Sequence, residues 1–179
     1  MILYIHGFRT TINSHKAKLL QAQYPADKIF IADHPITPKE AIDYLEKVIK
    51  EQNINSIIAS SLGGYYATYL SEKYNIKTVL INPSVKPYET LKTSLGENIK
   101  NDGTYFIWRE EDMKMLEKFK IINPTPSNYF VFLQKGDEVL DFRVAQEFYK
   151  GSKFIIEDGG NHRFKKFERF FDDVSDFFN

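Results

Sequence analysis

Ser61 lies in a short stretch whose residue types and spacing could support nucleophilic chemistry. The apolar run 57–59 ends abruptly before a serine pair, and a helix-compatible run, 62–74, follows with no room for a loop. Ala59 and Gly63 lie two residues before and two residues after Ser61, which matches the nucleophile elbow G-x-S-x-G with alanine in place of the first glycine. In such an elbow, a strained strand-to-helix turn presents the serine hydroxyl at the N-terminal end of a helix.

Two downstream residues could supply the base and the acid that a serine nucleophile needs, because a neutral hydroxyl is a poor nucleophile alone. Asp137 and His162 follow Ser61 in the chain, each after a strand-like run. Ser–Asp–His is the chain order of the triad in α/β-hydrolases. We expect His162 to take the serine proton and later deliver it to the leaving group, while Asp137 fixes the imidazole tautomer. Asp141, in the same loop as Asp137, is the alternative acid.

The candidate oxyanion hole consists of two backbone N–H groups. The first apolar run, 2–5, ends at His6-Gly7, and in hydrolases the loop after this strand supplies one oxyanion-hole donor. We therefore assign one donor to Phe8 and the other to Leu62, the residue after the nucleophile; each such donor typically contributes about 2.7–4 kcal/mol. For the side chain of His6, we favour a structural role in bonding nearby backbone.

Strand-like and helix-like runs alternate along most of the chain and predict the scaffold for these residues. The pattern is typical of a doubly wound, mostly parallel sheet of six strands with helices on both faces and right-handed crossovers. The six predicted strands are 2–5, 28–32, 56–59, 77–81, 129–133 and 154–157. Ligands in such sheets bind beyond the carboxyl ends of the strands, where the candidate residues all follow their strands.

The alternation lapses over residues 83–127, which we interpret as a small cap insertion over the edge of the sheet. The segment contains four prolines, the single tryptophan and a helical run, 110–120, whose apolar stripe is ragged. A helix with so mixed a face cannot bury itself well in the main core, so we expect Trp108, Met113 and Phe119 to line a substrate pocket. An ordinary crossover helix with long loops is the alternative interpretation.

Composition restricts the class of protein. A chain of 179 residues is expected to form one domain, 1–179, and its zero net charge gives no nucleic-acid footprint. The absence of cysteine excludes disulfides, thiolate metal sites and a cysteine nucleophile. No run is long enough for a signal peptide or a membrane span, so we expect a cytoplasmic protein.

Four stretches together resemble the small bacterial YqiA/YcfP-type esterases of the α/β-hydrolase superfamily: 4–8, 60–67, 136–141 and 159–162. The resemblance implies a triad of Ser61, Asp137 and His162 that works without metal or cofactor. It implies esterase or acyl-thioesterase activity. It also implies an α/β-hydrolase fold in which the first two strands of the larger hydrolase sheet are missing. Ala59 departs from the glycine that many relatives have, and the resemblance is weakest over 83–127.

These observations predict a serine hydrolase that cleaves a small-molecule carboxylic ester or acyl thioester through an acyl-enzyme. Two other interpretations remain open. One is a catalytically silent hydrolase fold that serves as a binding or interaction module. The other is a flavodoxin-like domain whose turn at 60–63 binds phosphate, although this leaves Asp137 and His162 without a role. The natural substrate, the acyl length and the oligomeric state are left open.

Overall fold

The computed structural model describes residues 1–179 and contains eight strands. In chain order they are β1 (Ile2–Ile5), β2 (Ile29–Ile31), β3 (Ser56–Ser61), β4 (Lys77–Pro83), β5 (Gly96–Ile99), β6 (Tyr105–Trp108), β7 (Tyr129–Gln134) and β8 (Lys153–Glu157). Six strands form one sheet in the order β2-β1-β3-β4-β7-β8, and every pairing in it is parallel. The predicted six-stranded parallel sheet is therefore confirmed.

The chain has seven α-helices, six between strands and one after β8. They are α1 (His15–Gln23), α2 (Pro38–Glu51), α3 (Leu62–Tyr74), α4 (Pro87–Thr90), α5 (Glu110–Glu117), α6 (Phe142–Phe148) and α7 (Phe171–Phe178). Buried side chains of α1 and α7 pack on one face of the sheet, and those of α2, α3 and α6 pack on the other; α5 joins the second core through α2 and α4. None of these helices is both long and apolar enough to cross a membrane.

The central strands are apolar on both faces because each face is covered by helices. Alternate residues of β7 divide between the two cores: Val131 and Leu133 face the α2–α3 side, whereas Phe130 and Phe132 face the α1–α7 side. Burying each such side chain contributes about 1.5–3 kcal/mol. The sheet is therefore held rigidly from both sides, which fixes the positions of its carboxyl-terminal loops.

The phenylalanines of the C-terminal segment, 164–178, recur at helical spacing, but only the last part of this segment is an α-helix. Phe164 and Lys166 have positive φ angles of 56° and 59°, which a helix does not accommodate. A 3₁₀ turn at Phe167–Phe170 follows, and α7 begins only at Phe171. Phe164 and Phe167 nevertheless pack edge-on against Phe132, so the aromatic face covers the sheet.

Residues 83–127 contain α4, a 3₁₀ turn at Leu91–Ser94, the antiparallel hairpin β5–β6 and α5. Buried and exposed side chains alternate along β6: Phe106 and Trp108 are buried, while Tyr105 and Ile107 are exposed. The rings of Phe106 and Trp108 both contact Phe8, at centroid distances of 5.5 Å and 5.1 Å. The hairpin therefore packs against the loop that follows β1, next to the candidate site.

Candidate active site

Ser61 occupies a sharp turn between β3 and α3 with backbone angles φ 53° and ψ −127°, a strained combination for a residue other than glycine. The crowding around the turn explains its small residues. A Cβ on Gly63 would lie 2.3 Å from the carbonyl oxygen of Ile5 and 2.5 Å from that of His6. Ala59, at the position of the first elbow glycine, is fully buried in the core. The turn therefore has the geometry expected of a nucleophile elbow.

The structure brings Ser61, His162 and Asp137 into one hydrogen-bonded chain. The Oγ of Ser61 lies 3.0 Å from Nε2 of His162, and Nδ1 of His162 lies 2.8 Å from Oδ2 of Asp137. Because a carboxylate can only accept a hydrogen bond, Nδ1 of His162 carries the ring proton and donates a hydrogen bond to Asp137. The Nε2 atom of the neutral ring then accepts the hydroxyl proton of Ser61, which is the arrangement that general-base activation requires.

Asp137 is anchored so that one oxygen faces the imidazole. Its Oδ1 accepts the backbone N–H groups of Val139 and Leu140, both at 2.8 Å, and its side chain is only 2% exposed. The alternative acid, Asp141, instead caps α6 and pairs with Arg143 at 2.7 Å. Hydrogen bonds from Arg143 lower the pKa of Asp141. Asp137, and not Asp141, is therefore the carboxylate in contact with His162.

The loop that carries His162 is held by buried amides that sequence reasoning did not single out. Asn82 follows the apolar run of β4, with φ 40°, and its Nδ2 donates to the carbonyls of Asn161 and His162 at 3.0 Å and 3.1 Å. Its Oδ1 accepts the N–H of Gln134. The Oε1 of Gln134 in turn accepts the N–H groups of Asn161 and Lys165. These bonds connect β4 and β7 to the histidine loop.

A carboxylate on the surface also supports His162. Glu138 accepts the backbone N–H of His162 at 3.0 Å, and this hydrogen bond lowers the pKa of Glu138. The neighbours Asp137 and Glu138 thus hold the ring and the backbone of the same histidine. The sequence signal for Glu138 was only its position beside Asp137.

The loop after β1 lies directly beside Ser61. A Cβ on Gly7 would lie 2.9 Å from Cβ of Ser61, so only glycine fits there without displacement. The backbone N–H of Phe8 donates to no backbone carbonyl, and that of Leu62 is the first of α3, where helical N–H groups lack intrahelical acceptors. Both donors are therefore free for a ligand, and their role as an oxyanion hole stays a prediction.

Two buried histidines stabilise the same loop. The rings of His6 and His34 stack with centroids 4.1 Å apart, and Nδ1 of His6 lies 3.0 Å from the Gly7 carbonyl and 3.1 Å from Oγ1 of Thr10. Burial lowers the pKa of His6 to about 3 and also lowers the pKa of His34. Both rings therefore remain neutral at neutral pH, which agrees with a structural role for His6.

Two clefts open on either side of Ser61 and His162. The first, about 360 Å³, is lined mainly by polar and basic residues, including Tyr4, Asn13, His15, Lys16, Asn101 and Arg163. The second, about 310 Å³, is lined on its apolar side by Phe8, Leu62, Leu91, Val139 and Leu140. Leu91 and Asn101 belong to the 83–127 segment, so this segment reaches both clefts. A reacting group at Ser61 would have space on both sides.

The profile of the uncharacterised protein family UPF0227 matches the whole chain, residues 1–179. The chain belongs to this family. A UPF0227 protein of Vibrio parahaemolyticus is 27% identical over 187 residues, which span 100% of this chain and 99% of that protein. A UPF0227 protein of Serratia proteamaculans is 26% identical over 173 residues, spanning 92% and 91% of the two chains. The resemblance to YqiA/YcfP-type proteins is thereby confirmed.

Solved structures similar to this UPF0227 chain are α/β-hydrolases and esterases. Mouse alpha/beta hydrolase domain-containing protein 10 has a TM-score of 0.76 at 16% identity, covering 98% of this chain and 89% of its own. Est1E from Butyrivibrio proteoclasticus, solved with bound ferulic acid, has a TM-score of 0.72 at 15% identity, covering 98% and 86%. At these identities the likeness shows the fold, which confirms the predicted α/β-hydrolase class.

The predicted pocket residues of the UPF0227 chain lie elsewhere than expected. Trp108 and Met113 are buried in the core, where Nε1 of Trp108 lies 3.0 Å from Sδ of Met113. Phe119 packs edge-on against Tyr69, 5.0 Å away on α3. None of the three lines either cleft beside Ser61. The prediction is therefore corrected: Phe119 packs on α3, Trp108 packs on the β1 loop and Met113 contacts Trp108, so these side chains have protein partners in place of a ligand.

Proposed function

We propose that this UPF0227 protein is a serine hydrolase that cleaves a carboxylic ester or an acyl thioester through a covalent acyl-enzyme. The observation that carries the proposal is the continuous hydrogen-bonded chain from Asp137 through His162 to Ser61. The strained turn at Ser61 and the free N–H groups beside it support the same chemistry. The hydrolases and esterases that share the fold make this class of reaction consistent with the scaffold.

In the first step, Oγ of Ser61 attacks the carbonyl carbon of the substrate while Nε2 of His162 takes the hydroxyl proton. A C–O bond forms, and the carbonyl oxygen becomes an oxyanion that accepts from the N–H groups of Phe8 and Leu62. The carboxylate of Asp137 stabilises the imidazolium that results. Collapse of this intermediate breaks the bond to the leaving group, which receives the proton from His162 and departs as an alcohol or a thiol.

In the second step, water replaces the leaving group beside His162. Nε2 of His162 takes one proton from the water as its oxygen attacks the acyl carbon. The second tetrahedral intermediate breaks the bond to Oγ of Ser61, which recovers its proton from His162. The products are a carboxylic acid and the resting enzyme, so every residue returns to its starting protonation state.

The test is ester hydrolysis by the wild-type protein and by a Ser61→Ala variant. We expect wild-type turnover of para-nitrophenyl butyrate, and a loss on the order of 10⁴-fold or more in the variant, because removal of a triad nucleophile leaves only binding and oxyanion effects. Ser60→Ala is the matched control, since Oγ of Ser60 contacts Tyr4 and not His162. Absence of turnover in the wild-type protein, across ester and thioester substrates, would instead favour a silent binding module.

The segment 83–127 has a proposed place in this function as a cap. Its 3₁₀ turn, Leu91–Ser94, lines the second cleft together with Leu140, and its hairpin packs on Phe8. The cap therefore bounds the site through Leu91 and through support of the Phe8 loop, rather than through Trp108, Met113 or Phe119. A Leu91→Ala change should alter the preference among acyl chain lengths more than it alters hydrolysis of an acetyl ester.

A further inference from the structure

The first cleft beside Ser61 has an unusual charge for a site expected to take an acyl chain. Its lining includes Lys16, Arg163 and His15, and it includes no aspartate or glutamate. The remaining lining is dominated by hydrogen-bonding side chains, among them Asn13 and Asn101. The cleft also opens at the N-terminal turn of α1, which contains no acidic residue. Its cationic side chains therefore favour a negatively charged group. We name it the cationic cleft.

The cations of this cleft are not neutralised within the chain. Neither Lys16 nor Arg163 forms an ion pair with any carboxylate. The Nζ of Lys16 donates to the backbone carbonyl of Arg163 at 3.0 Å, which directs it toward the loop that carries His162. Burial lowers the pKa of Lys16 to about 8, although the negative charge of the exposed Glu168 acts to raise it. The ammonium group therefore remains charged at neutral pH.

The second cleft differs in chemistry. Phe8, Leu62, Leu91, Val139 and Leu140 provide apolar surface there, next to the hydroxyls of the 3₁₀ turn. The cation in this cleft, Arg9, is already engaged by Oδ1 of Asn98, which accepts from its Nε at 2.9 Å. The first cleft is therefore lined by two permanent cations, Lys16 and Arg163, whereas the second is lined by Arg9 alone and by more apolar residues. We name this side the apolar cleft.

We propose that the cationic cleft binds an anionic leaving group, a carboxylate- or phosphate-bearing alcohol or thiol, while the apolar cleft takes the acyl chain. This inference rests on the proposed hydrolase function. The anion would accept from Lys16 and Arg163, and the scissile carbonyl would lie at Ser61 between the two clefts. His162 lines both clefts, so it can protonate a leaving group that extends along the cationic side.

A matched set of butyrate esters tests the proposal. The para-carboxybenzyl and para-phosphonobenzyl esters carry an anion on the alcohol, and the para-carbamoylbenzyl ester is the neutral counterpart. We expect kcat/KM to be about tenfold to a hundredfold higher for an anionic ester than for the neutral one, the effect of one or two charge-assisted hydrogen bonds. A preference for either anion supports the proposal, and the larger preference identifies the headgroup. Added salt should reduce the preference for the anionic ester over the neutral one, because it screens the charges.

Variants connect the preference to named residues. Lys16→Gln and Arg163→Gln should each lower the anionic-to-neutral ratio by about tenfold, whereas Lys18→Gln, on the same helix but outside the cleft, should leave it unchanged. The neutral ester controls for displacement of His162, because Lys16 also contacts its loop. A ratio near one in the wild-type protein would overturn the proposal. A greater preference for benzyl hemisuccinate, whose anion is on the acyl side, would also overturn it.

A binding measurement separates this inference from the proposed function. Calorimetric titration of para-carboxybenzyl and para-phosphonobenzyl alcohol into the Ser61→Ala protein requires no turnover. Binding that disappears in a Ser61→Ala/Lys16→Gln double variant supports the cationic cleft even if no ester is hydrolysed. Equal, weak binding of the anionic alcohols and the neutral carbamoyl alcohol would overturn it. If the neutral ester is hydrolysed without any anion preference, this inference fails while the hydrolase function stands.

Discussion

Gly63→Ala is the substitution whose effect can be worked out most directly from the elbow. Alanine in place of glycine inside a helix ordinarily stabilises by about 1 kcal/mol. Here the new Cβ would lie 2.3 Å from the Ile5 carbonyl oxygen and 2.5 Å from that of His6, where contacts under 3.0 Å are essentially never found. The Ile5 oxygen must therefore move by at least 0.7 Å, the difference between 3.0 Å and 2.3 Å.

Both atoms belong to backbone at the end of β1, so no side chain can rotate away from the clash. Overpacking of this kind costs up to about 3 kcal/mol, which outweighs the helix gain and leaves a net loss of about 2 kcal/mol. In a protein of this size, the loss corresponds to a melting temperature lower by about 4–8 °C. The displaced strand end leads into Phe8, so the hydrolysis rate should fall on the order of tenfold to a hundredfold.

Urea unfolding and para-nitrophenyl butyrate hydrolysis measure the two effects separately. Gly64→Ala is the comparison, because its Cβ would meet Pro83 at 2.7 Å, at the end of β4 and away from the Phe8 loop. That variant should lose stability but keep more of its rate per folded molecule. A Gly63→Ala protein that is as stable and as active as the wild type would refute the crowding argument, since the helix-propensity gain would then act alone.

Three further predictions concern the acid, the histidine loop and the buried histidines. Asp137→Asn should lower kcat for ester hydrolysis on the order of 10³–10⁴-fold, and Asp141→Asn should lower it little; the reverse ranking would move the acid to Asp141. Asn82→Asp places a carboxylate against two backbone carbonyls, so urea unfolding should show a loss of about 2–4 kcal/mol; an unchanged midpoint would contradict this positioning role. Burial lowers the pKa of His6 to about 3 and also lowers the pKa of His34. Below about pH 6.5, these two histidines are therefore protonated in the unfolded chain but remain neutral in the folded chain. As the pH is lowered below that value, the free energy of unfolding should therefore decrease, by as much as about 1.4 kcal/mol per pH unit for each histidine. The decrease should be smaller in a His34→Gln variant, and a free energy of unfolding that does not change with pH would contradict this prediction.

The parallel sheet and the elbow could be predicted from local patterns. Short apolar runs alternating with amphipathic runs determine a parallel sheet, because only helices on both faces can cover such strands. The elbow could be recognised locally because its small residues lie within two positions of Ser61, although the crowding that requires glycine at position 63 comes from the end of β1. Asp137 and His162 could be predicted because strand ends in a parallel sheet converge at one edge.

The hairpin β5–β6 and the pocket could not be predicted in the same way. Tyr105, Phe106, Ile107 and Trp108 are all apolar, so the sequence carries no alternation to distinguish the buried pair from the exposed pair. Trp108 was expected at a pocket because the mixed face of the run 110–120 indicated poor burial of this segment, yet Trp108 packs on Phe8, about a hundred residues earlier. The role of Asn82 likewise depends on contacts with loops far along the chain.

The central claim is that Ser61 is a nucleophile activated by His162. Its most direct test is to react the protein with a fluorophosphonate and to locate the adduct by peptide mass spectrometry. We expect one stoichiometric adduct on the peptide containing Ser61, lost in Ser61→Ala and slowed strongly in a His162→Gln variant that still unfolds cooperatively. A wild-type protein that forms no adduct, or forms it on another residue, would contradict the claim.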